Sequence, residues 1–246
     1  MSVTLYDNIV PCDAKAVSLN PWRTRFVLNY KSVPYTTVWL PYAEISSTLK
    51  ALGATATSVR ADGEPRYTIP TIAHAGRVIS NSFDIALYLE EQFPERPLFP
   101  PGTVALQRFF YNQMYDPSAG LITALPPFVQ PGYKHLMDQP DAAYFETLWS
   151  GIFGTPVDAF MDTQEKTERA WKKLEHALDA LDAAYAAEKA SCFIGGGTPL
   201  YVDFVVAASF LMLSLVAAKD WEKICQLHDG RWKRLLQAVG PYMQVH

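Results

Sequence analysis

Apolar residues follow two different periods along this chain, and the change falls near residue 100. In the first third, short apolar runs alternate with helical stripes. Val3-Thr-Leu-Tyr6 reads as a short buried strand. Asn20-Pro21 opens a helix, with Asn as the N-cap and Pro in the first turn, and Trp22, Phe26, Val27 and Tyr30 supply its apolar positions. Thr36-Thr-Val-Trp-Leu40, β-branched and aromatic, reads as a second strand. Residues 44–52 suit a short helix, and residues 53–66, rich in Gly, Ala, Thr and charge, a mobile loop. Ile69 to Ala73 and Arg77 to Ile79 form a hairpin around Ala75-Gly76. Asn81 to Phe93 follows as a helix, with Asp84 three residues after Asn81 as in a capping box. This β-α-β-α-β-β-α order predicts a small mixed sheet.

Phe93-Pro-Glu-Arg-Pro-Leu-Phe-Pro-Pro-Gly102 is a proline-dense connector and marks the domain boundary: residues 1–94, a linker at 95–102, then 103–246. Beyond it strand signals nearly vanish. Thr103 to Tyr115 reads as helix, while Pro117 to Pro140, interrupted by five prolines, is expected to wander at the surface. Residues 163–188 carry the clearest helical stripe, with Trp171, Leu174, Leu178, Leu181 and Tyr185 spaced 3, 4, 3, 4. Gly195-Gly-Gly-Thr-Pro199 is a turn. Leu200 to Ala218 is apolar nearly all round, as a central core helix is, and residues 220–240 close the fold with one or two short helices.

Composition narrows the function classes. The chain has 246 residues, 49% of them hydrophobic, enough for a substantial core, and a net charge of -4 with no Lys/Arg-rich tract, which gives a nucleic-acid role no electrostatic support. No basic and apolar leader is apparent at the start, and the run Phe204 to Ala218 is short for a membrane span, so no membrane partner is expected. Three cysteines without paired spacing suit a reduced, cytoplasmic compartment. The five histidines show no ligand spacing, so no metal is expected.

The chemistry concentrates in two stretches. Tyr67-Thr-Ile-Pro70-Thr-Ile places a proline at the start of a strand, where it marks an edge, a first position or a bulge, and where a cis bond would turn the chain sharply. Ser80-Asn-Ser82 then opens a helix whose N–H groups could hold a carboxylate. Together they form a socket for a small peptide-like anion. Asn81 and Ser82 could equally be plain caps, and the two roles are compatible.

These stretches, the helix-opening Trp22-Arg-Thr-Arg-Phe26, the proline connector and Pro199-Leu-Tyr-Val-Asp203, in this order and spacing, resemble the soluble glutathione transferases over nearly the whole chain. Ser18 to Lys31 looks most like the etherase-like branch, which includes bacterial lignin β-etherases and the fungal etherase-like FuA class, the latter the closer match. The resemblance implies an α/β thioredoxin-like N-terminal domain that binds glutathione and an all-α domain that holds a hydrophobic co-substrate. It places Ser18 at the activating serine or cysteine, with Asn20 as the competing candidate because Leu19 stands where a proline usually follows. Ile69 and Pro70 match the pair whose backbone binds the cysteinyl part of glutathione, and Asn81-Ser82 the pair that holds its γ-glutamyl group. Lys50 and Arg66 are candidates for the glycyl carboxylate by charge and location alone. Leu200 replaces the hydroxyl residue of the Ser/Thr-x-x-Asp203 cap, so a structural cost is expected there.

The activity implied is a serine-type transferase that turns glutathione, a co-substrate, into a thiolate for attack on hydrophobic aromatic electrophiles or ethers, with etherase or peroxidase side activity and a role in detoxification. Tyr111, Tyr115, Phe128, Tyr133, Phe145, Trp149 and Phe153 are divided between core and an apolar pocket for aromatic small molecules. The alternatives are a ligandin that binds phenolic compounds with little turnover, and a non-catalytic interaction module. A homodimer is expected. Ser18 either caps a helix only or also serves the thiol, and Cys12, six residues upstream, would imply thiol-disulfide exchange instead.

Overall fold

The computed structural model describes residues 2–60, 63–188 and 191–246 and divides into two compact units: one runs to Pro97 and includes Pro241–His246, the other is Leu98–Gly240. The first unit has the thioredoxin-like order. Strand β1 (Val3–Asn8) leads to helix α1 (Leu19–Tyr30), strand β2 (Tyr35–Leu40) and helix α2 (Ile45–Ala51). The pair β3 (Ser58–Val59) and β4 (Pro65–Arg66) follows, then β5 (Thr71–His74), β6 (Arg77–Ser80) and helix α3 (Ser82–Gln92). The main sheet runs β2-β1-β5-β6, with β1 and β2 parallel and β5 antiparallel to both of its neighbours. β3 and β4 form a separate antiparallel pair inside the stretch expected to be a loop, where two short segments meet through Ser58 and Arg66.

Two buried cations hold this unit. Arg25 of α1 reaches Asp7 of β1 at 2.8 Å and donates to Tyr35 Oη and Thr37 Oγ1 of β2 at 3.2 and 3.1 Å. Lys31, just beyond α1, pairs with Glu90 at 2.6 Å and donates to the carbonyls of Phe93, Glu95 and Arg96. Those last carbonyls have no helical partners of their own, and a cation there also complements the α3 dipole. Arg96 returns a bond to the Tyr30 carbonyl at 2.8 Å, so the start of the connector is tied to the end of α1.

The second unit is helical: α4 (Val104–Gln113), α5 (Leu121–Ala124), α6 (Pro126–His135), α7 (Gln139–Phe153), α8 (Gln164–Tyr185), α9 (Tyr201–Val216), α10 (Ala218–Ile224) and α11 (Arg231–Ala238). The proline-rich stretch 117–140 does not wander. It forms α5 and α6 and buries Leu121, Leu125, Phe128, Val129 and Tyr133. Pro126 and Pro127 occupy the first turn of α6, where N–H groups have no intrahelical acceptor to lose, and Pro140 does the same for α7 behind the Asp138 cap. Gly132 lets α6 approach α9 closely, since a Cβ there would lie 2.1 Å from the Val216 carbonyl oxygen. α9 is buried from Tyr201 to Leu213, and among the described residues no helix is long and apolar enough to cross a membrane.

The expected cost of Leu200 is met by rearrangement. The Asp203 N–H bonds the Leu200 carbonyl at 3.1 Å instead of a hydroxyl. The Asp203 carboxylate accepts from Leu200 N at 2.7 Å, Ile194 N at 3.0 Å and Tyr185 Oη at 2.8 Å. Burial nevertheless pushes the Asp203 carboxyl up to about 6, against those three bonds, which lower it. Because this folded value lies above the unfolded one, the folded chain holds the extra proton between the two values. The contribution to stability is therefore full at low pH and is lost as pH rises through about 6. Relative to Asp203→Asn, the native chain is expected to gain on the order of 1 kcal/mol between pH 7 and pH 5. Urea unfolding of both proteins at the two pH values checks this, and a constant difference would refute it.

Candidate active site

The strand register assembles one edge of the first sheet. Tyr6 lies opposite Thr71, and Thr71 opposite Ser80, so these three form a row across β1, β5 and β6. The hydroxyls of Thr71 and Ser80 meet at 2.7 Å and lock the row. Asp7-Asn8, Ile69-Pro70 and Asn81-Ser82 all continue beyond it on the same side. α1 connects two parallel strands, so it runs back along the sheet and begins at this edge too. Ser18, Ile69, Pro70, Asn81 and Ser82 are thus gathered at one sheet edge by topology alone.

The Ile69-Pro70 bond is cis, and Pro70 is buried immediately ahead of β5, so the proline precedes the strand rather than opening it. Ile69 packs against the cluster of Leu40, Ile45 and Leu49. Lys50 is exposed in the last turn of α2, next to Leu49. Arg66 is half-buried in β4, away from the main sheet in pairing terms.

Asn81 is the N-cap of α3 and its Oδ1 accepts from Phe83 N at 3.0 Å. Its backbone sits at φ 77° and ψ 121°, a left-handed conformation that is unusual for a side-chain-bearing residue. Ser82 is buried behind it.

At α1 the capping residue is Ser18 and not Asn20, which lies exposed inside the first turn. Ser18 has the extended conformation of an N-cap, φ -63° and ψ 128°, yet its hydroxyl makes no capping bond. A polar side chain is therefore present at the dipole-positive end of α1 without being used to stabilise it. Cys12 is half-buried in the preceding loop, where its N–H and carbonyl bond Val10 and Lys15. Burial pushes the Cys225 thiol up, against reactivity.

Sequence reasoning missed the groups behind this edge: Asp7, whose carboxyl burial pushes up to about 6 while Arg25 opposes the shift, and the indole of Trp22, which donates to the Ala16 carbonyl at 2.9 Å. The available signal was a pair of arginines on a helix with almost no exposed face. In the helical unit Tyr111, Phe128, Tyr133 and Phe145 are core, Trp149 is half-buried, and Tyr115 and Phe153 are exposed. A separate pocket of about 320 Å³ there is lined by Phe110, Met114, Leu121 and Leu181, with Gln113 and Asp116 as polar groups. Among the described residues no cluster of three or more His, Cys, Asp or Glu could hold a metal.

A thioredoxin-like unit with a cis-proline and two helix N-termini at one sheet edge, followed by a helical unit, defines a glutathione-transferase architecture. The family comparisons agree: residues 17–92 match the glutathione S-transferase N-terminal domain and residues 105–242 the glutathione S-transferase C-terminal domain. The chain belongs to the glutathione S-transferase family. It is 27% identical to the glutathione S-transferase-like protein ustS of Aspergillus flavus, over 96% of this chain and 88% of that one. The glutathione S-transferase CsGST63524 of Ceriporiopsis subvermispora, solved in complex with glutathione, is 28% identical, with a TM-score of 0.93 over 100% of this chain and 99% of that one. The glutathione transferase GSTFuA3 of Phanerochaete chrysosporium is 29% identical, with a TM-score of 0.91 over 100% and 99%.

The conformation at Asn81 makes a stability prediction. Asn81→Ala loses the cap and forces an alanine to positive φ, and is expected to cost about 2 kcal/mol. Asn81→Gly loses the same cap but relieves the backbone, and is expected to lie within about 0.5 kcal/mol of the native chain. Denaturant midpoints of the two variants check the order.

Proposed function

We propose that this glutathione transferase is of the serine type, with Ser18 donating a hydrogen bond to the glutathione sulfur. The observation that carries the reading is the uncommitted Ser18 hydroxyl at the N-terminus of α1. A free thiol with a pKa near ~8.5 is mostly protonated at neutral pH. A hydroxyl donor and a positive helix end both favour the thiolate, and neither needs to give up a proton. Asn20 is the weaker candidate, because its side chain is exposed one residue into the helix.

In this reading the Ile69-Pro70 backbone holds the cysteinyl part of glutathione and Asn81-Ser82 the γ-glutamyl group. The Oδ1 of Asn81 is taken by Phe83 N, which leaves its amide nitrogen to donate to a carboxylate. Lys50 and Arg66 are the candidates for the glycyl carboxylate. The co-substrates are hydrophobic aromatic electrophiles or ethers, as in an etherase-like detoxifying enzyme of the cytoplasm. The likeness to GSTFuA3 supports that branch.

Ser18→Ala is expected to return the bound thiol pKa toward the free value and to lower kcat/KM near neutral pH roughly tenfold to a hundredfold, the range for one bond to a charged acceptor. Calorimetric titration with glutathione and ultraviolet spectra of the bound thiol read both. Binding with an unshifted thiol in the native protein would select the ligandin reading instead.

We also infer a homodimer. Leu106 and Phe109, three apart on α4, are 69% and 66% exposed, an apolar pair that a second copy would cover. Light scattering is expected to give twice the 27.5 kDa of one chain, and a Leu106→Glu/Phe109→Glu variant the single mass.

A further inference from the structure

The backbone that carries Ser18 is clamped from one residue. Trp22 Nε1 donates to the Ala16 carbonyl at 2.9 Å in a buried setting, and Trp22 N donates to the Ser18 carbonyl at 3.3 Å, closing the first turn of α1. Ala16 and Val17, between these anchors, are buried. The indole is itself held, with the Phe26 ring at 5.2 Å and the Arg25 guanidinium 5.5 Å from its centroid. The Ser18 side chain contributes no capping bond that would fix its own direction. The point from which its hydroxyl is presented, its Cα–Cβ bond, therefore depends on the backbone dihedrals at residues 16–18.

We propose that Trp22 is the positioning residue for Ser18. Its indole N–H fixes the Ala16 peptide and so the place from which the Ser18 side chain is presented. This rests on the reading of Ser18 as the thiol's donor. Trp22 transfers no proton and touches no sulfur. Its effect is geometric, and it is large because hydrogen bonds weaken steeply with angle and small misplacements carry large rate costs. Without the indole N–H, the Ala16 carbonyl would be a buried acceptor with no partner, and the peptide would turn to find one.

The test removes the donor and keeps the ring. Trp22→Phe is one variant. Benzothienylalanine placed at position 22 by amber suppression is the second, an isostere with sulfur in place of the N–H, and it decides the matter if the phenylalanine variant does not fold. The probes are glutathione alone, with the thiolate absorbance followed against pH, and glutathione with an activated aryl chloride for kcat/KM, in the native protein, each Trp22 variant, Ser18→Ala and the combinations. The expected result is a raised thiol pKa. It is accompanied by a kcat/KM about fivefold lower well below that pKa, converging with the native value above it, and by no added effect in the Ser18→Ala background. A loss that is equal at all pH values, or that persists unchanged without the serine hydroxyl, would overturn the proposal and leave Trp22 as packing. If Ser18→Ala itself leaves the thiol pKa unmoved, the serine reading fails and this proposal with it. If that variant moves the pKa and the isostere does not, only the Trp22 proposal fails.

Discussion

The first unit is organised around the buried Asp7–Arg25 pair. One guanidinium joins β1 through Asp7, β2 through Tyr35 and Thr37, and its own helix through the Trp22 ring, with the Trp39 ring 5.4 Å away. Removing one partner of such a pair leaves an uncompensated buried charge, a loss of about 3–5 kcal/mol. The same cluster receives the chain end. Tyr35 Oη donates to the Gln244 carbonyl and Thr37 Oγ1 to that of His246, while Asn29 of α1 donates to the Tyr242 and Gln244 carbonyls. Residues 241–246, which the sequence assigns to the all-α domain of 103–246, therefore group with the first unit. This one cation ties α1 to both β1 and β2, and so contributes to where the helix that begins after Ser18 lies.

Much of the architecture was legible because local signals agreed with one another. The 3, 4, 3, 4 stripe on α8 appears as buried Leu174, Leu178, Leu181 and Tyr185, and the continuous apolar run after Pro199 becomes the buried α9. Prolines misled where their count was read without their position. Pro126, Pro127 and Pro140 fall in first turns, where a missing N–H costs little. Asn-Pro is a strong local signal and by itself sets the cap of α1 at Asn20, two residues late, whereas Ser18 stands as a cap only through the resemblance. What decided it was tertiary: the burial of Leu19, Pro21 and Trp22 brings the helix start forward to Ser18. The bonds of Asp203 to Tyr185 and Ile194 join residues 9 to 18 positions apart, beyond the reach of any pattern within one element.

The candidate site divides in the same way. Pro70, Asn81 and Ser82 could be found because their residue types are constrained locally, by a turn and a helix end. Their convergence with Ser18 required the register of three strands, which no short motif encodes. The indole clamp and the buried aspartate of β1 were invisible for the same reason: each depends on which carbonyl or guanidinium the fold brings to it.

Three helix ends in this chain meet the same physical demand in three ways. At α3 the Asn81 side chain is spent on Phe83 N. At α9 the capping residue has no polar side chain, and Asp203 takes over by bonding Leu200 N while its own N–H finds the Leu200 carbonyl. At α1 a serine with the right backbone conformation stands at the cap and its hydroxyl is not spent. A cap of this kind is worth about 1 kcal/mol when made, so leaving it unmade forgoes stability that the residue type could supply. Functional sites are where such forgone stability is concentrated, since a group already satisfied by its own helix has less to offer a ligand. Of the two candidate serines at the gathered edge, Ser82 is buried behind a working cap, and Ser18 stands in front of a helix that holds together without it.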